Sequence, residues 1–509
     1  MRLGLTALAV AAGAAALVVA FAPLDLWPLG LVALGPLWLA VRHARARRAF
    51  GLGLLMGALT YAGGFYWVTN TLRDFAAMGW PLTLALLALL CLAGGAAVGL
   101  WAVVASVLWR RTALPALLVA PPLWAAVEHL WPTLFPWHLG DSLHGCNTLA
   151  QLADLGGMSG LSLLCATAGV GLAETLARLR AGTPRCDALR PAAAAVVALA
   201  LGAAYGAWRG ADVAAQAAVA PRATVGVVQG NIGIYDKERV GLAERNTRQF
   251  LALSHDLVAR GAELVVWPET TVQEPVWLGQ PVAPPYVRLA APLLTGGLAA
   301  RQEGPRLEWY NVAYLVERGV VRGLVPKNRL LLFGEYLPFE RLVPGLRRLF
   351  PHAGALTPGR TSQTLVSGRA RIGVLICYED VLPAFARAVA AQAPAPNLLV
   401  NVTNDSWFGR STEPYEHAYL ASFRAIELRR SLVRATNTGL SCLIDPRGRM
   451  IARGGLFQAE TLIAAVPLLE GQTVYARLGD WPALAGIAAG LGLAALAFAR
   501  RRRAPVEPS

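Results

Sequence analysis

Arg371-Ile372-Gly373-Val374-Leu375-Ile376-Cys377-Tyr378-Glu379-Asp380 is a run of apolar, partly β-branched residues that ends on a cysteine and two carboxylates. A strand that is apolar on both faces belongs to a sheet covered by helices, because only there are both sides of the pleat buried. The carboxyl end of such a strand is where α/β sheets collect reactive groups. A thiolate in that position attacks carbonyl carbon and forms a thioester. Two plainer readings stand beside it: a buried structural cysteine, or a disulfide with Cys442.

The flanking sequence repeats the pattern. Strand-like runs are expected at 224–229, 263–267, 371–377, 398–402 and 432–435, with amphipathic helices at about 240–260, 381–392 and 413–430. Asp445-Pro446-Arg447-Gly448 is a turn signal joining two short strands, 441–444 and 450–453. Strands alternating with helices give an α/β domain on a buried sheet.

Two more clusters fall at strand ends of this region. In Val265-Val266-Trp267-Pro268-Glu269-Thr270 the proline ends the ladder and the next residue is a carboxylate. Pro326-Lys327-Asn328-Arg329 is followed by Phe333-Gly334-Glu335-Tyr336. Lys327 and Lys237 are the only lysines among 46 basic residues, so a lysine here marks a position where arginine does not serve. A compact ammonium fits a tight oxyanion pocket better than a guanidinium fork. Taken alone, Glu269 also reads as a turn carboxylate and Lys327 as an ordinary loop lysine.

The rest of the chain is of another kind. Hydrophobic residues make up 55% of the 509 and charged residues 15%. Apolar runs at 3–21, 24–41, 51–69, 81–108, 113–127, 157–176, 191–208 and 481–499 predict about eight membrane spans, since ~20 apolar residues cross a bilayer. The run 3–21 also has the features of a cleaved signal peptide. With the N-terminus inside, the short cytoplasmic loops and tail hold 14 arginines, and the short outer loops hold Arg73 alone. The positive-inside rule then places both termini in the cytoplasm and residues 209–480 outside it. The net charge of +15 is thereby read as topological, not as a nucleic-acid surface. Cysteines and histidines have no metal-type spacing, so no metal is expected. The expected organisation is a transmembrane bundle at 1–208, an Ala-rich linker at 209–221, a catalytic domain at 222–468, a final span at 481–499 and a cytoplasmic tail at 500–509.

The ordered set Trp267-Pro268-Glu269, Lys327 and Cys377-Tyr378-Glu379-Asp380 resembles the nitrilase superfamily, as do Asn401-Val402-Thr403-Asn404-Asp405-Ser406-Trp407-Phe408-Gly409, Arg424-Ala425-Ile426-Glu427 and Arg434-Ala435-Thr436-Asn437-Thr438-Gly439. Carried on a membrane bundle, the chain is similar to the membrane-bound branch, the apolipoprotein N-acyltransferases. Ala22-Pro23-Leu24-Asp25-Leu26-Trp27-Pro28-Leu29, Phe65-Tyr66-Trp67-Val68, Gln229-Gly230-Asn231-Ile232 and Phe333-Gly334-Glu335-Tyr336-Leu337-Pro338 add to that likeness. It departs at Asn328-Arg329-Leu330-Leu331-Leu332, where the family has a basic residue and a proline. It departs also after Ile232, where the family often has a tryptophan and the nearest aromatic is Tyr235.

The resemblance implies an αββα sandwich beside the helical bundle and a Glu–Lys–Cys triad. Cys377 is then the nucleophile, Glu269 the general base and acid, and Lys327 the oxyanion partner. Glu335 and Glu379 would orient them, and Tyr378, Trp407 and Tyr235 would line the substrate. It implies a phospholipid acyl donor, expected to be phosphatidylethanolamine, and a diacylglyceryl apolipoprotein acceptor. No cofactor is expected. The implied location is the bacterial inner membrane, with a periplasmic catalytic domain. A membrane-tethered amidase would share the triad but use water as acceptor. Weaker readings are a Cys–His hydrolase using His417 and a non-enzymatic membrane protein.

Overall fold

The computed structural model describes residues 2–233, 243–284, 287–340, 342–343, 345–350 and 353–503. The chain divides into two compact units, one of Met1–Thr69, Trp80–Gly210 and Arg477–Ser509, the other of Asn70–Gly79 and Ala211–Ala476.

The first unit is helical. Trp80–Thr112, Ala153–Arg180, Arg185–Val219 and Trp481–Arg500 are long and apolar enough to cross a membrane, and the bent pair Ala46–Gly64 with Val68–Asp74 makes a fifth if it counts as one span. Three shorter apolar helices, Gly4–Ala20, Trp27–Val41 and Ala116–Leu130, occupy the other apolar runs that precede residue 131. The run 24–41 is not one straight helix. A 3-10 turn at Trp27–Leu29 precedes an α-helix at Leu34–Val41, because Pro23, Pro28 and Gly30 interrupt the ladder. The stretch 209–219 continues the helix Arg185–Val219, as an Ala-rich sequence favours.

Two carboxylates, Glu174 and Glu128, are engaged inside this unit. Glu174 is 3% exposed and pairs with Arg42 at 2.9 Å and with the Trp38 indole N–H at 2.7 Å. Glu128 accepts from the Trp124 indole at 3.0 Å and from the Leu139 N–H at 2.7 Å. A buried ion is tolerable only when paired in this way.

Helices Ala46–Gly64 and Trp80–Thr112 meet through two glycine pairs at four-residue spacing. A Cβ on Gly57 would stand 2.6 Å from the Gly95 Cα, and one on Gly53 would stand 2.7 Å from the Gly99 Cα. The backbones therefore touch, and dispersion between them does the work that hydrophobic burial does in water.

The second unit is a four-layer sandwich. One sheet has the strand order β13-β1-β2-β4-β5-β6, with β3 also paired to β4. These strands are β1 Arg222–Gln229, β2 Leu264–Val266, β3 Val272–Trp277, β4 Leu293–Glu303, β5 Arg306–Glu317, β6 Val320–Pro326 and β13 Glu460–Pro467. The other sheet has the order β12-β11-β10-β9-β8-β7. Its strands are β7 Leu365–Ser367, β8 Ala370–Ile376, β9 Leu398–Thr403, β10 Ser431–Thr436, β11 Cys442–Ile444 and β12 Met450–Arg453.

Val225, Val266, Leu294, Ile372, Val374, Val400 and Val433 interdigitate between the sheets. On the outer face of the first sheet, Phe250 and Leu257 of helix Ala243–Ala259 pack on Val265 and Trp267. On the outer face of the second, Ala386 of helix Pro383–Ala390 and Ala421 and Ala425 of helix Glu413–Leu428 pack on Leu375, Leu399 and Leu432. Every layer thus buries an apolar face. In the parallel core, Ile376 lies beside Val402 and Thr403 beside Thr436, so the carboxyl ends of β8, β9 and β10 lie level.

Replacing Gly57 with leucine forces the two membrane-unit backbones apart. The expected loss is about 1–3 kcal/mol, seen as a lower thermal midpoint of the detergent-solubilised protein; the exposed Gly4 gives a neutral control for the same substitution.

Candidate active site

Cys377 follows β8 directly and opens a 3-10 turn, Cys377–Val381. Its φ is +54°, a left-handed conformation that disfavours a side chain, and such strain persists only where the surroundings impose it. The turn carries the side chain out of the strand line, where Cys377 is 6% exposed.

Glu269 lies three residues beyond β2. Pro268 ends the ladder, but its carbonyl accepts from the Gly296 N–H at 3.1 Å, and the Thr271 N–H reaches the Gly296 carbonyl at 3.0 Å. This turn presses on β4: a Cβ on Gly296 would stand 2.5 Å from the Glu269 Cα. Thr270, at φ +47°, completes the bend.

Lys327 leaves β6 with its N–H held by the Asn311 carbonyl at 2.8 Å. Its ammonium, 1% exposed, donates to Glu269 Oε1 at 3.1 Å and to Glu335 Oε1 at 2.9 Å. Asn311 of β5 donates from Nδ2 to the same two oxygens, at 2.6 Å and 3.1 Å. The Glu335 second oxygen accepts from the Leu331 N–H at 2.8 Å, closing the loop that carries it.

Burial alone would lower the Lys327 ammonium; the negative charge that Cys377 takes on when it ionises, with those of Glu269 and Glu335, outweighs burial and raises the group well above its ordinary value. The Cys377 thiol moves up. Burial is the largest cause and Glu269 adds to it, while Lys327 and a hydrogen bond from Thr403 oppose it. At rest the sulfur is a thiol, so a base must take its proton before it attacks. Cys377, Glu269 and Lys327 thus sit within electrostatic reach of one another, with Glu335 and Asn311 fixing the orientation of the ammonium and the carboxylate.

Glu379 serves as a clamp. Its Oε1 accepts from the Asn328 and Arg329 N–H groups at 2.7 and 2.9 Å, and its Oε2 accepts from the Ile376 N–H at 2.8 Å. One side chain therefore ties the lysine loop to the strand that delivers the cysteine. Burial pushes its carboxyl up to about 7, against the pull of the Ile376 and Arg329 N–H groups, the Lys327 charge and the Asn328 N–H.

The remaining expected residues fall around this centre. Tyr378 is partly buried, and its hydroxyl reaches the Leu330 carbonyl at 3.4 Å. Trp407 lies on the turn Asp405–Phe408 after β9, its carbonyl accepting from the Thr71 hydroxyl at 3.1 Å. Tyr235 lies outside the described residues. Cys377 and Cys442 are both free thiols, which removes the disulfide reading. The two ring nitrogens of His417 face Asp380 at 2.8 Å and Asp405 at 3.1 Å, so His417 is committed elsewhere and is not a Cys–His partner. Sequence reading missed Asn311. A lone amide inside Tyr310-Asn311-Val312-Ala313-Tyr314 is the one signal that marks it, since a buried strand gives an amide nothing to bond unless polar groups face it.

A sandwich of this kind with a thiol, a carboxylate and an ammonium at one end is a carbon–nitrogen hydrolase domain, and the carbon-nitrogen hydrolase family matches residues 224–475. Residues 13–171 match the apolipoprotein N-acyltransferase N-terminal domain. The chain is 34% identical to an apolipoprotein N-acyltransferase of Geobacter metallireducens over 93% of this chain and 92% of that one. It is 35% identical to one of Azotobacter vinelandii over 99% and 96%, and 32% identical to one of Pseudomonas putida over 96% of each. The chain belongs to the apolipoprotein N-acyltransferase family, and it is an acyltransferase of the carbon–nitrogen hydrolase superfamily.

Because the Glu379 carboxyl sits above its unfolded value of 4.5, its contribution to stability is fully present below pH 4.5 and is lost as pH rises through about 7. The whole shift corresponds to roughly 3 kcal/mol. Thermal midpoints measured from pH 5 to pH 8 should therefore fall more steeply for the parent than for Glu379→Gln; parallel slopes refute the assignment.

Proposed function

We propose that the chain transfers a fatty acyl group from a phospholipid, through a thioester on Cys377, to the N-terminal amine of a diacylglyceryl apolipoprotein. The observation that carries the reading is the Lys327 ammonium, buried between the Glu269 and Glu335 carboxylates and charge-coupled to the Cys377 thiol.

In the first step Glu269 takes the thiol proton and sulfur attacks the ester carbonyl carbon. The carbonyl electron pair moves onto oxygen, where Lys327 and the backbone N–H after Cys377 meet the developing charge. Collapse expels the lysophospholipid oxygen, which receives the proton from Glu269 and leaves the thioester. In the second step the free amine attacks the thioester carbon, Glu269 accepts its proton and the sulfur departs. The kinetics are ping-pong. The acyl group keeps its activation from ester to thioester, so the sequence of steps uses no organic cofactor or metal. An amide is the more stable product, which drives the second step.

We further propose phosphatidylethanolamine as donor, an inner-membrane location, cytoplasmic termini and a periplasmic catalytic domain over 222–468, preceded by a bundle over 1–208 and followed by a span at 481–499. The arginine asymmetry supports the orientation. Tyr378 and Trp407 serve as lining groups in this reading.

Incubation of the enzyme with phospholipid alone should leave a fatty-acyl adduct on the peptide containing Cys377, detected by intact-mass and peptide mass spectrometry. Cys377→Ala should carry no adduct, and Glu269→Gln should slow adduct formation by about 10²–10⁴-fold. Addition of a diacylglyceryl peptide should discharge the adduct into N-acyl peptide; discharge into free fatty acid alone would identify a hydrolase instead. An adduct that persists in Cys377→Ala eliminates the nucleophile assignment.

A further inference from the structure

Strands β8, β9 and β10 carry a row of paired residues across the second sheet: Leu375 lies beside Asn401, and Asn401 beside Arg434. Residues paired in this way point to the same face, and Leu375 marks it as the outer face, under the helices. Two residues earlier on β9 and β10, Leu399 and Leu432 pack in that same apolar layer. An amide and a guanidinium, both fully buried, thus follow two leucines into a face that otherwise offers apolar contacts. Polar groups are kept in such a face only by polar partners, and here the partners lie on the turn that carries the nucleophile. Asn401 Nδ2 donates to the Cys377 carbonyl at 2.9 Å and to the Leu375 carbonyl at 3.3 Å. Its Oδ1 accepts from Arg434 Nη1 at 3.0 Å. The same Nη1 donates at 2.5 Å to Asp380 Oδ2, which lies on the turn that Cys377 opens. Arg434 Nη2 donates to Asp405 Oδ2 at 2.9 Å, and His417 faces the other oxygen of each aspartate, at 2.8 Å for Asp380 and 3.1 Å for Asp405.

Arginine can only donate, so the amide must turn its oxygen to Arg434 and its N–H to the Cys377 carbonyl. That carbonyl shares a rigid plane with the next N–H, because the bond from Cys377 to Tyr378 is an ordinary peptide. A trans peptide sends its C=O and its N–H to opposite sides. Asn401 draws the carbonyl towards the outer, helix-covered face. The Tyr378 N–H therefore points the other way, to the side on which the first sheet presents Lys327 and Glu269. The cysteine holds this plane at φ +54° against its own steric preference, so the plane needs an anchor. On the near side of Cys377 the Ile376 N–H is tied to Glu379 at 2.8 Å, and on the far side Asn401 fixes the carbonyl.

We infer that Asn401 is a positioning residue for the oxyanion donor: by holding the Cys377 carbonyl from behind, it aims the Tyr378 N–H at the oxygen of the acyl group under attack. As sulfur adds to the acyl carbon, the carbonyl electron pair moves onto oxygen. The Tyr378 N–H donates a hydrogen bond to that oxygen and keeps its proton. Asn401 touches neither substrate nor sulfur; it acts through one peptide plane. Arg434 sets the orientation of the amide, and its bond to Asp380 holds the other end of the same turn. A donor fixed in advance stabilises developing charge far better than one that must turn to meet it.

This rests on Cys377 forming the acyl thioester, and the two can fail separately. The full-length enzyme in detergent is compared with Asn401→Leu, which keeps bulk and loses the amide, and Asn401→Asp, which keeps the oxygen that Arg434 binds and loses the N–H. The readouts, all followed on the Cys377 peptide, are acylation by phospholipid, acylation by p-nitrophenyl butyrate and alkylation by iodoacetamide. Both acylations pass through a tetrahedral oxyanion; alkylation displaces iodide and forms none. Each variant should lower both acylation rates by about 10–100-fold. The KM for phospholipid and the alkylation rate should stay within about threefold of the parent. Should Asn401→Leu lose its thermal transition, Asn401→Asp alone decides. Parent-like acylation in Asn401→Asp overturns the inference, since the amide would then serve only to seat Arg434. Alkylation slowed as much as acylation overturns it too, because the defect would lie at the thiol. If phospholipid fails to acylate the parent while the ester still does, and more slowly in both variants, the phospholipid reading falls and the role of Asn401 stands. A parent that the ester does not acylate refutes both.

Discussion

A single lysine, buried to 1% exposure and held between two carboxylates, sets the conditions for everything around it. An ammonium stripped of water is costly, and it persists only because Glu269, Glu335 and the Cys377 site surround it. Each partner is in turn fixed by backbone. Glu269 stands on a turn pressed against Gly296, Glu335 is tied to the Leu331 N–H, and Asn311 reaches both from the middle of β5. Charge in this pocket is therefore organised before any substrate enters, which is the condition under which electrostatic stabilisation is most effective.

The same site is assembled from both sheets of the sandwich. Glu269, Asn311 and Lys327 come from the first, and Cys377 from the second. The core that packs between the sheets, Val266 and Leu294 against Val374 and Val400, thus also fixes the distance between base and nucleophile. Glu379 adds a direct tie by bonding the N–H groups of residues 328 and 329 on one side and 376 on the other. A core mutation far from the thiol would act on the chemistry through this spacing.

Much of this arrangement is legible in the sequence, for a physical reason. Strands β8, β9 and β10 are buried almost throughout, so they read as mainly apolar runs, interrupted by Asn401 in β9 and Arg434 in β10, and the residues that end them stand out by contrast. The antiparallel strands β4, β5 and β6 were not legible. They are the longest run of paired strand in the domain, but Arg301, Gln302, Glu303 and Glu308 lie on exposed ends, and Gly296 and Gly297 weaken the strand signal. Asn311 was lost with them. In the membrane unit, hydropathy counted apolar residues correctly at 24–41 but did not register that two prolines and a glycine break the helix there. The pairing of Glu174 was not legible either, because its partners, Arg42 and Trp38, are more than a hundred residues away in sequence.

The left-handed backbone at residue 377 has a practical consequence for trapping the enzyme with its lipid. Alanine at that position keeps a Cβ and with it the steric penalty of the conformation, about 1–2 kcal/mol. Glycine has no such penalty and adopts the same dihedrals freely. An inert Cys377→Gly protein should therefore relax the nucleophile turn while sparing the clamp and the lysine pocket. It leaves a void where sulfur stood, into which an ester carbonyl can settle without being cleaved.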